Sequence, residues 1–584
     1  MNNASLELGG TNWAEKDASL LGYTVSDDSG RFFPQEFTFS RGSNLAATRI
    51  GKTGLIEKGR ENLLLQSNQF DTTWTVAGST ITDGQSGYDG SNNAWLLSKS
   101  SASGNLGQNT TSNGVTTFSV YAKANASLYL RLIIFDGTFA ANGAAYFDLQ
   151  NGALGTTNAI DSNIESVGNG WYRCSVSFNT SNQRVYIYPA EANSTTGTTG
   201  SIYIQDAQLE LGLSASPYIP TTTTTAQAGV LENTPRLNYT AGVANPYLLL
   251  EPSRTNLFPY SEYFNTDYSS AGALFIENAT TSPEGVVNAT TFEGSGTLTY
   301  IRLAYSIIFS SAGDHTLSLF AKAGTNDFFA CYFEGFTGAS GVSLAYFDLS
   351  DGTTPTSGVS IEAVGTDGWY RCSITTNIDS GDLAGNLVVL CAPSTSSVFY
   401  PTAGDADGKN IQIYGAQLEQ GSYPTSYIPT YGASTTRGFD YSIIESLGYS
   451  STCTFYYEFN TTTGREKSAP FVEVGKDNSN KFYIKGSSAN NPQFQVQGNG
   501  IFNGSIAPTN EVSGINKIAV QWSNGVGVVF SNGVKQSGTL TNSDTSQNID
   551  FISAKGEGTP HDSKQLLFFE EALSDAELIT LTTI

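Results

Sequence analysis

Apolar and polar residues alternate in short blocks along most of the chain, and glycine-rich or Asn/Asp-containing turns separate the blocks. LYLRLIIFD (128–136) and RVYIYPA (184–190) are dense in β-branched and aromatic residues. In the first of them the two-residue period puts Tyr129, Arg131 and Ile133 on one side of a strand and Leu130, Leu132 and Ile134 on the other. No long stretch carries helical periodicity. The alternation predicts an all-β chain of short strands.

The blocks repeat. NLLLQSNQF opens a unit at Asn62 and NLFPYSEYF opens another at Asn256. In order, YAKA (121–124) answers FAKA (320–323), AYFDL recurs at 145–149 and 345–349, and GWYRCS at 170–175 and 368–373. AQLELG (207–212) then answers AQLEQG (416–421), and SPYIPT (216–221) answers TSYIPT (425–430). Ordered matches of this kind identify an internal duplication. Each copy, with its many short strands and tight turns, reads as a two-sheet jelly roll. Asn151-Gly152 and Asp351-Gly352 follow YFDL at equivalent points and predict type I′ hairpin turns.

The last part does not repeat the unit. TFYYEFN (454–460), KFYIKG (481–486), KIAVQWS (517–523) and GVVFSNGVKQSG (527–538) are strand-like, with Asn532-Gly533 as a hairpin turn. Ser574 and Glu577 form a capping-box pattern that predicts a short final helix. The chain therefore divides into a segment 1–60, a first jelly roll 61–228, a linker 229–254, a second jelly roll 255–437 and a terminal sandwich 438–584. Residues 1–60 hold Trp13, Phe32, Phe33 and Phe37 with few apolar neighbours, so this segment is expected to pack against another protein chain.

Composition narrows the role. Only 14% of residues are charged, yet the net charge is −24 and the pI about 4.4. A chain this acidic repels a phosphate backbone, which argues against nucleic-acid binding. No apolar run is long enough to insert into a membrane, and no export signal is expected from the N-terminal residues. Five cysteines do not make a disulfide framework, and two histidines leave little for zinc or for a nucleophile–histidine pair. Without a legible catalytic constellation the chain is read as a non-enzyme.

Three stretches together resemble bacteriophage fibre and spike proteins: FTFSRGSNLAATRIGKTGLIEKG (37–59), GVLENTPRLNYTAGVANPYLLLEPSRTNLFPYSEYF (229–264) and the WYRCS…AQLE…YIPT series of both copies. The copies resemble carbohydrate-binding-module jelly rolls, and the terminal part resembles a concanavalin A/laminin-G sandwich. The resemblance implies a head or tail fibre subunit, made in the host cytoplasm and exposed on the virion. It also implies a homo-oligomer, by analogy a trimer, attached to other virion proteins through residues 1–60 and displaying modules for cell-surface glycans. A purely structural decoration protein and a polysaccharide depolymerase are the alternatives. Modules of this type often hold a structural calcium by an acid in the last strand; Asp206 is the candidate in copy one, and copy two has Gly415 instead. Beyond that calcium no cofactor is expected. Candidate glycan residues are Tyr129, Arg131 and Trp95 in copy one and Phe328 and Tyr332 in copy two. An aromatic beside a planar guanidinium can stack on a sugar ring while bonding its hydroxyls.

Overall fold

The computed structural model describes residues 4–584 except 11–12, 17–18, 27–30, 44, 138–142, 181–183, 241–242, 337–339, 462–469, 487–493, 511, 513 and 558–560. The chain is all-β: tandem jelly-roll sandwiches are followed by a concanavalin A-like sandwich, and the one described helix is Asp575–Thr582. That helix carries the expected capping box, the Ser574 side chain accepting from the Glu577 amide and the Glu577 carboxylate from the Ser574 amide.

The first jelly roll stacks two antiparallel six-stranded sheets. One runs in the order Asp161–Gly168, Trp171–Thr180, Gly114–Ala124, Ser201–Leu211, Ala94–Lys99, Ser79–Gln85. The other runs Ala153–Thr157, Gly143–Asp148, Tyr129–Phe135, Arg184–Ala190, Asn105–Asn109, Thr75–Ala77. Leu130, Leu132 and Ile134 face inward against Phe118, Phe147 and Cys174, as the two-residue period requires. In the second jelly roll Gly313–Ala323, Trp369–Ile378 and Asn410–Gln420 repeat the central strands of the first sheet, and Phe328–Glu334, Leu344–Asp348 and Ala384–Ala392 those of the second.

The repeated motifs are a buried polar clamp. The Asn62 amide donates to the carbonyls of Ala207 and Ile219, and its oxygen accepts from the Leu64 and Leu209 amides. Asn256 does the same with Ala416, Ile428, Phe258 and Leu418. Gln208 and Gln417 accept from the Ile219 and Ile428 amides and donate to Glu210 and Glu419. Each unit thus ties its entry to its exit through groups whose polar atoms would be costly to bury unpaired.

The turns correct part of the expectation. Asn532 and Gly533 both have positive φ (47° and 79°), as a type I′ turn needs. At the repeated YFDL sites only Gly152 and Gly352 do. There the Asp148 carboxylate accepts from the Gln150 and Asn151 amides, and Asp348 from the Ser350 amide, so an aspartate-held four-residue turn replaces the two-residue one.

Residues 1–60 correct another. Leu6, Leu8, Leu20, Phe37 and Phe39 do not await a second chain, because the early strands complete the terminal sandwich and Trp13 packs against the same core; the side chains of Phe32 and Phe33 lie outside the described residues. Leu6–Gly9 pairs with His561–Phe569, Ser19–Ser26 pairs with Arg31–Ser40, and the latter pairs with Tyr441–Tyr449. Leu6, Leu8, Leu20, Phe37 and Phe39 alternate with polar residues and are buried beside Phe455, Trp522 and Phe568. The linker strand Tyr247–Leu250 takes the remaining length of the His561–Phe569 edge.

Two buried ionic hubs join these parts. In the first, Asp440 accepts from Arg41 (2.9 Å) and from Arg236, and Glu251 pairs with Arg236 (2.7 Å) and Arg437 (3.0 Å). In the second, Lys58 lies 2.8 Å from Glu262 and 2.5 Å from Glu284, and Tyr414, Tyr427 and Tyr431 donate to Glu262. Desolvation alone would favour neutral carboxyls at Glu251 and Asp440. The surrounding arginines outweigh it and hold both below the ordinary range.

Candidate functional site

The sheet of the first jelly roll that contains Tyr129–Phe135 turns an unusual set of side chains outward. Arg131 is opposite Tyr146 on one neighbouring strand and Tyr188 on the other. Its guanidinium carbon lies 5.0 Å from the Tyr146 ring centre and 5.9 Å from that of Tyr188. The Arg131 Nε is buried and has no hydrogen-bond partner, and among the described residues no carboxylate pairs with this arginine. One register step away, Tyr129 donates to the Asp148 carboxylate at 3.0 Å, and this bond pushes the phenol pKa up. On the other side Ile133 is covered by Tyr186, Tyr188 and Phe135. At the far end Arg184 donates to Asn109 and, at 2.9 Å, to the Tyr186 hydroxyl. Burial, reinforced by Tyr186, pushes the Tyr188 phenol up to about 12, so the ring stays neutral at physiological pH. The result is a half-buried surface of aromatic rings with two planar cations.

The second jelly roll does not reproduce it. Ala330 stands at the register of Arg131 and is fully buried. Phe328 is half-buried opposite Asp348, and Tyr332 packs on Ala304, Val388, Leu390 and Val398. Two charged groups of that face, Glu334 and Arg302, pair with each other at 2.5 Å, and the Asn386 amide donates to Glu334 at 3.1 Å. Phe328 and Tyr332 share an outer face, as the period predicts, but Ala330 and Leu390 stand there at the registers where the first jelly roll has Arg131 and Tyr188.

Trp95 and Asp206 lie on the opposite sheet, away from Tyr129 and Arg131. Trp95 is corrected as a glycan residue. It is 5% exposed, packs edge-on against Phe70 and donates to the Asn68 carbonyl. Asp206 occupies a β-bulge with φ of 51°, and Gly415 sits at the equivalent bulge with φ of 61°. The substitution follows from that geometry, which glycine and aspartate tolerate better than other residues. Burial raises the Asp206 carboxyl to about 6, against hydrogen bonds from Tyr88, Tyr218 and Gln205. These donors occupy the carboxylate, and among the described residues no group of three or more His, Cys, Asp or Glu is placed to hold a metal. That arrangement does not fit calcium, which takes about six to eight oxygen ligands.

Tyr146, Tyr186, Tyr188 and Arg184 were missed in the sequence. Alternation within RVYIYPA would have put Arg184, Tyr186 and Tyr188 on one face; their position beside Arg131 depends on strand order, which alternation does not reveal. A cleft of about 930 Å³ between the linker, the second jelly roll and the terminal sandwich was also missed. Tyr239, Tyr247, Tyr423, Arg371 and Asp562 line it, and burial raises the Asp562 carboxyl to about 7. Two of its other charged groups are already paired, Arg49 with Glu15 and Glu57 and Glu251 with Arg236 and Arg437.

No family model matches the chain, and no curated protein matches it. Among solved structures, the CBM40 domain of Ruminococcus gnavus IT-sialidase bound to α2,3-sialyllactose matches with 21% identity over 24% of this chain and 94% of that one, at a TM-score of 0.19. The LG1–3 region of the laminin α2 chain matches with 11% identity over 80% of this chain and 95% of that one, at 0.18. Trypanosoma rangeli sialidase with the inhibitor DANA matches with 9% identity over 98% of each chain, at 0.20. The sialidase matches correct the reading of the chain as a non-enzyme: enzymes stand among the structures similar along nearly its whole length. At these TM-scores no activity is transferred from them to this chain.

Proposed function

We propose that the chain is a bacteriophage fibre or spike subunit that holds a glycan on the outer face of its first jelly roll. The observation that carries the glycan reading is the Tyr146–Arg131–Tyr188 stack, flanked by Tyr129 and Tyr186. Sugar rings present an apolar C–H face and a rim of hydroxyls, and this surface presents rings for the first and guanidinium and phenol donors for the second. The virion placement is supported by the resemblance of residues 37–59 and 229–264, which supply Arg41, Lys58, Arg236, Glu251 and Glu262 to the two ionic hubs.

With one such face per chain, a shallow site binding near the millimolar range, about −4 kcal/mol, gains its strength from several copies on a particle. The test applies the full chain and its Tyr129→Ala and Tyr146→Ala variants to a glycan array and to host cells. Loss of retention by at least one variant that keeps the wild-type melting curve supports the reading. Retention unchanged in both removes it. Detection of the chain in purified particles by mass spectrometry checks the virion placement separately.

A further inference from the structure

We infer that the glycan on this face is acidic, with a carboxylate-bearing sugar seated on Arg131; the inference rests on the glycan reading above. A neutral sugar would leave the cation of this face without a counter-charge. Arg131 is half-buried between two rings, its Nε is shielded from water without a partner, and no acid of the described chain neutralises it. Asp148, in register with Tyr129, is already engaged by the Tyr129 hydroxyl, the Asn151 side chain and two backbone amides. A guanidinium flanked by two rings is restrained in position, and its planar fork of donors is the geometry that a carboxylate accepts in bidentate fashion.

Arg184 extends the argument. Its described partners are the uncharged Asn109 amide oxygen and Tyr186 hydroxyl. Because Arg131 pairs with Tyr188 and Phe135 with Arg184, the two cations stand four residues apart along the strands, about 13 Å. A row of rings lies between them: Tyr188 and Tyr186, with Phe135 beside. Two cations at that separation with a stacking surface between suit an oligosaccharide that bears acid groups at intervals, rather than one charged monosaccharide. The protein as a whole, at net −24, repels such a chain at long range, so recognition has to be local to this face.

The experiment uses the full chain and a panel of matched polysaccharides bearing uronate, sialate or pyruvate groups, each beside its carboxyl-reduced neutral form. Retention of an acidic member at least tenfold above its reduced form, falling about tenfold in Arg131→Gln and only partly in Arg131→Lys, is the expected result. Arg184→Gln, at the end of the face, should lose about two- to fivefold. Melting curves of the variants separate loss of binding from loss of fold, and Arg184→Gln keeps the test decisive if Arg131→Gln is unstable. Equal retention of acidic and reduced forms overturns the acidic class while leaving the glycan reading in place. Retention of an acidic form unaffected by both substitutions overturns the assignment to this face, and retention of no member overturns both readings.

Discussion

Leu8→Ala provides a direct test of whether the N-terminal strand belongs to the terminal sandwich. Leu6 and Leu8 are 0% and 1% exposed and pair in register with Phe568 and Leu566. Removing a fully buried leucine side chain to alanine costs about 2–5 kcal/mol, from lost transfer energy plus the cavity left behind. If the strand is integral, that loss is felt in opening of its neighbours and not only in its own fraying. Hydrogen exchange read by mass spectrometry over His561–Phe569 and Cys453–Thr461 is the assay, since these strands are paired to each other. The expected acceleration is roughly thirtyfold or more at both, because each 1.4 kcal/mol is a factor of about ten. Exchange confined to residues 4–10, with both later strands unchanged, would refute the integration and return residues 1–60 to the role of a separate arm.

Asp440→Ala should destabilise the chain by about 3–5 kcal/mol, because it leaves Arg41 and Arg236 buried without their shared acid; urea denaturation measures it. Glu277 gives a pH dependence of defined sign. Burial raises its folded pKa to about 7, against hydrogen bonds from Thr290, the Phe264 amide and Asn265. The folded state therefore holds a proton that the unfolded state releases near 4.5, and the stability this gives is present below about pH 4.5 and lost as pH rises through 7. Wild type should lose on the order of 1–3 kcal/mol between pH 5 and 8 relative to Glu277→Gln, and parallel stability profiles for the two proteins would contradict the assignment.

The parts of the fold legible in the sequence were those encoded by local pattern. The inward set Leu130, Leu132 and Ile134, the Ser574–Glu577 cap and the Asn532-Gly533 turn each depend on residues a few positions apart. The duplication was legible because repeated motifs need no folding to be seen, although their role as an Asn62 and Asn256 clamp was not. What stayed hidden depends on strands brought together from afar. Alternation in Leu6–Gly9 marks a strand with one buried face, but nothing local says that the cover is Phe568, more than five hundred residues away. Trp95 misled for a related reason. An aromatic on an alternating strand has two possible faces, and contact with Phe70 decided between them. The candidate site fell between these cases: Tyr129 and Arg131 follow from period two, whereas Tyr146 and Tyr188 join them only through cross-strand register.

Several charged residues of the stretches 37–59 and 229–264 have a physical role in joining the units. Arg41 follows the strand that enters the terminal sandwich, Arg236 and Glu251 flank the linker hairpin 237–250, and Arg437 and Asp440 lie where the second jelly roll gives way to the last sandwich. Four crossings of the chain therefore meet at one ionic cluster. An apolar cluster at the same place would bury as well, but it would fit several relative placements of the units. Arginine forks fit few, since every carboxylate oxygen and several carbonyls must be met at once: Arg41 also donates to Leu231 and Thr234, and Arg437 to Pro252. The second hub does the same between the jelly rolls, with Lys58 and Arg60 reaching Glu262, Glu284 and Glu210. On the reading proposed above, weak binding gains strength only when several faces meet a surface together, and effective concentration falls when the faces swing freely. Holding the units in one arrangement is what these buried charges contribute.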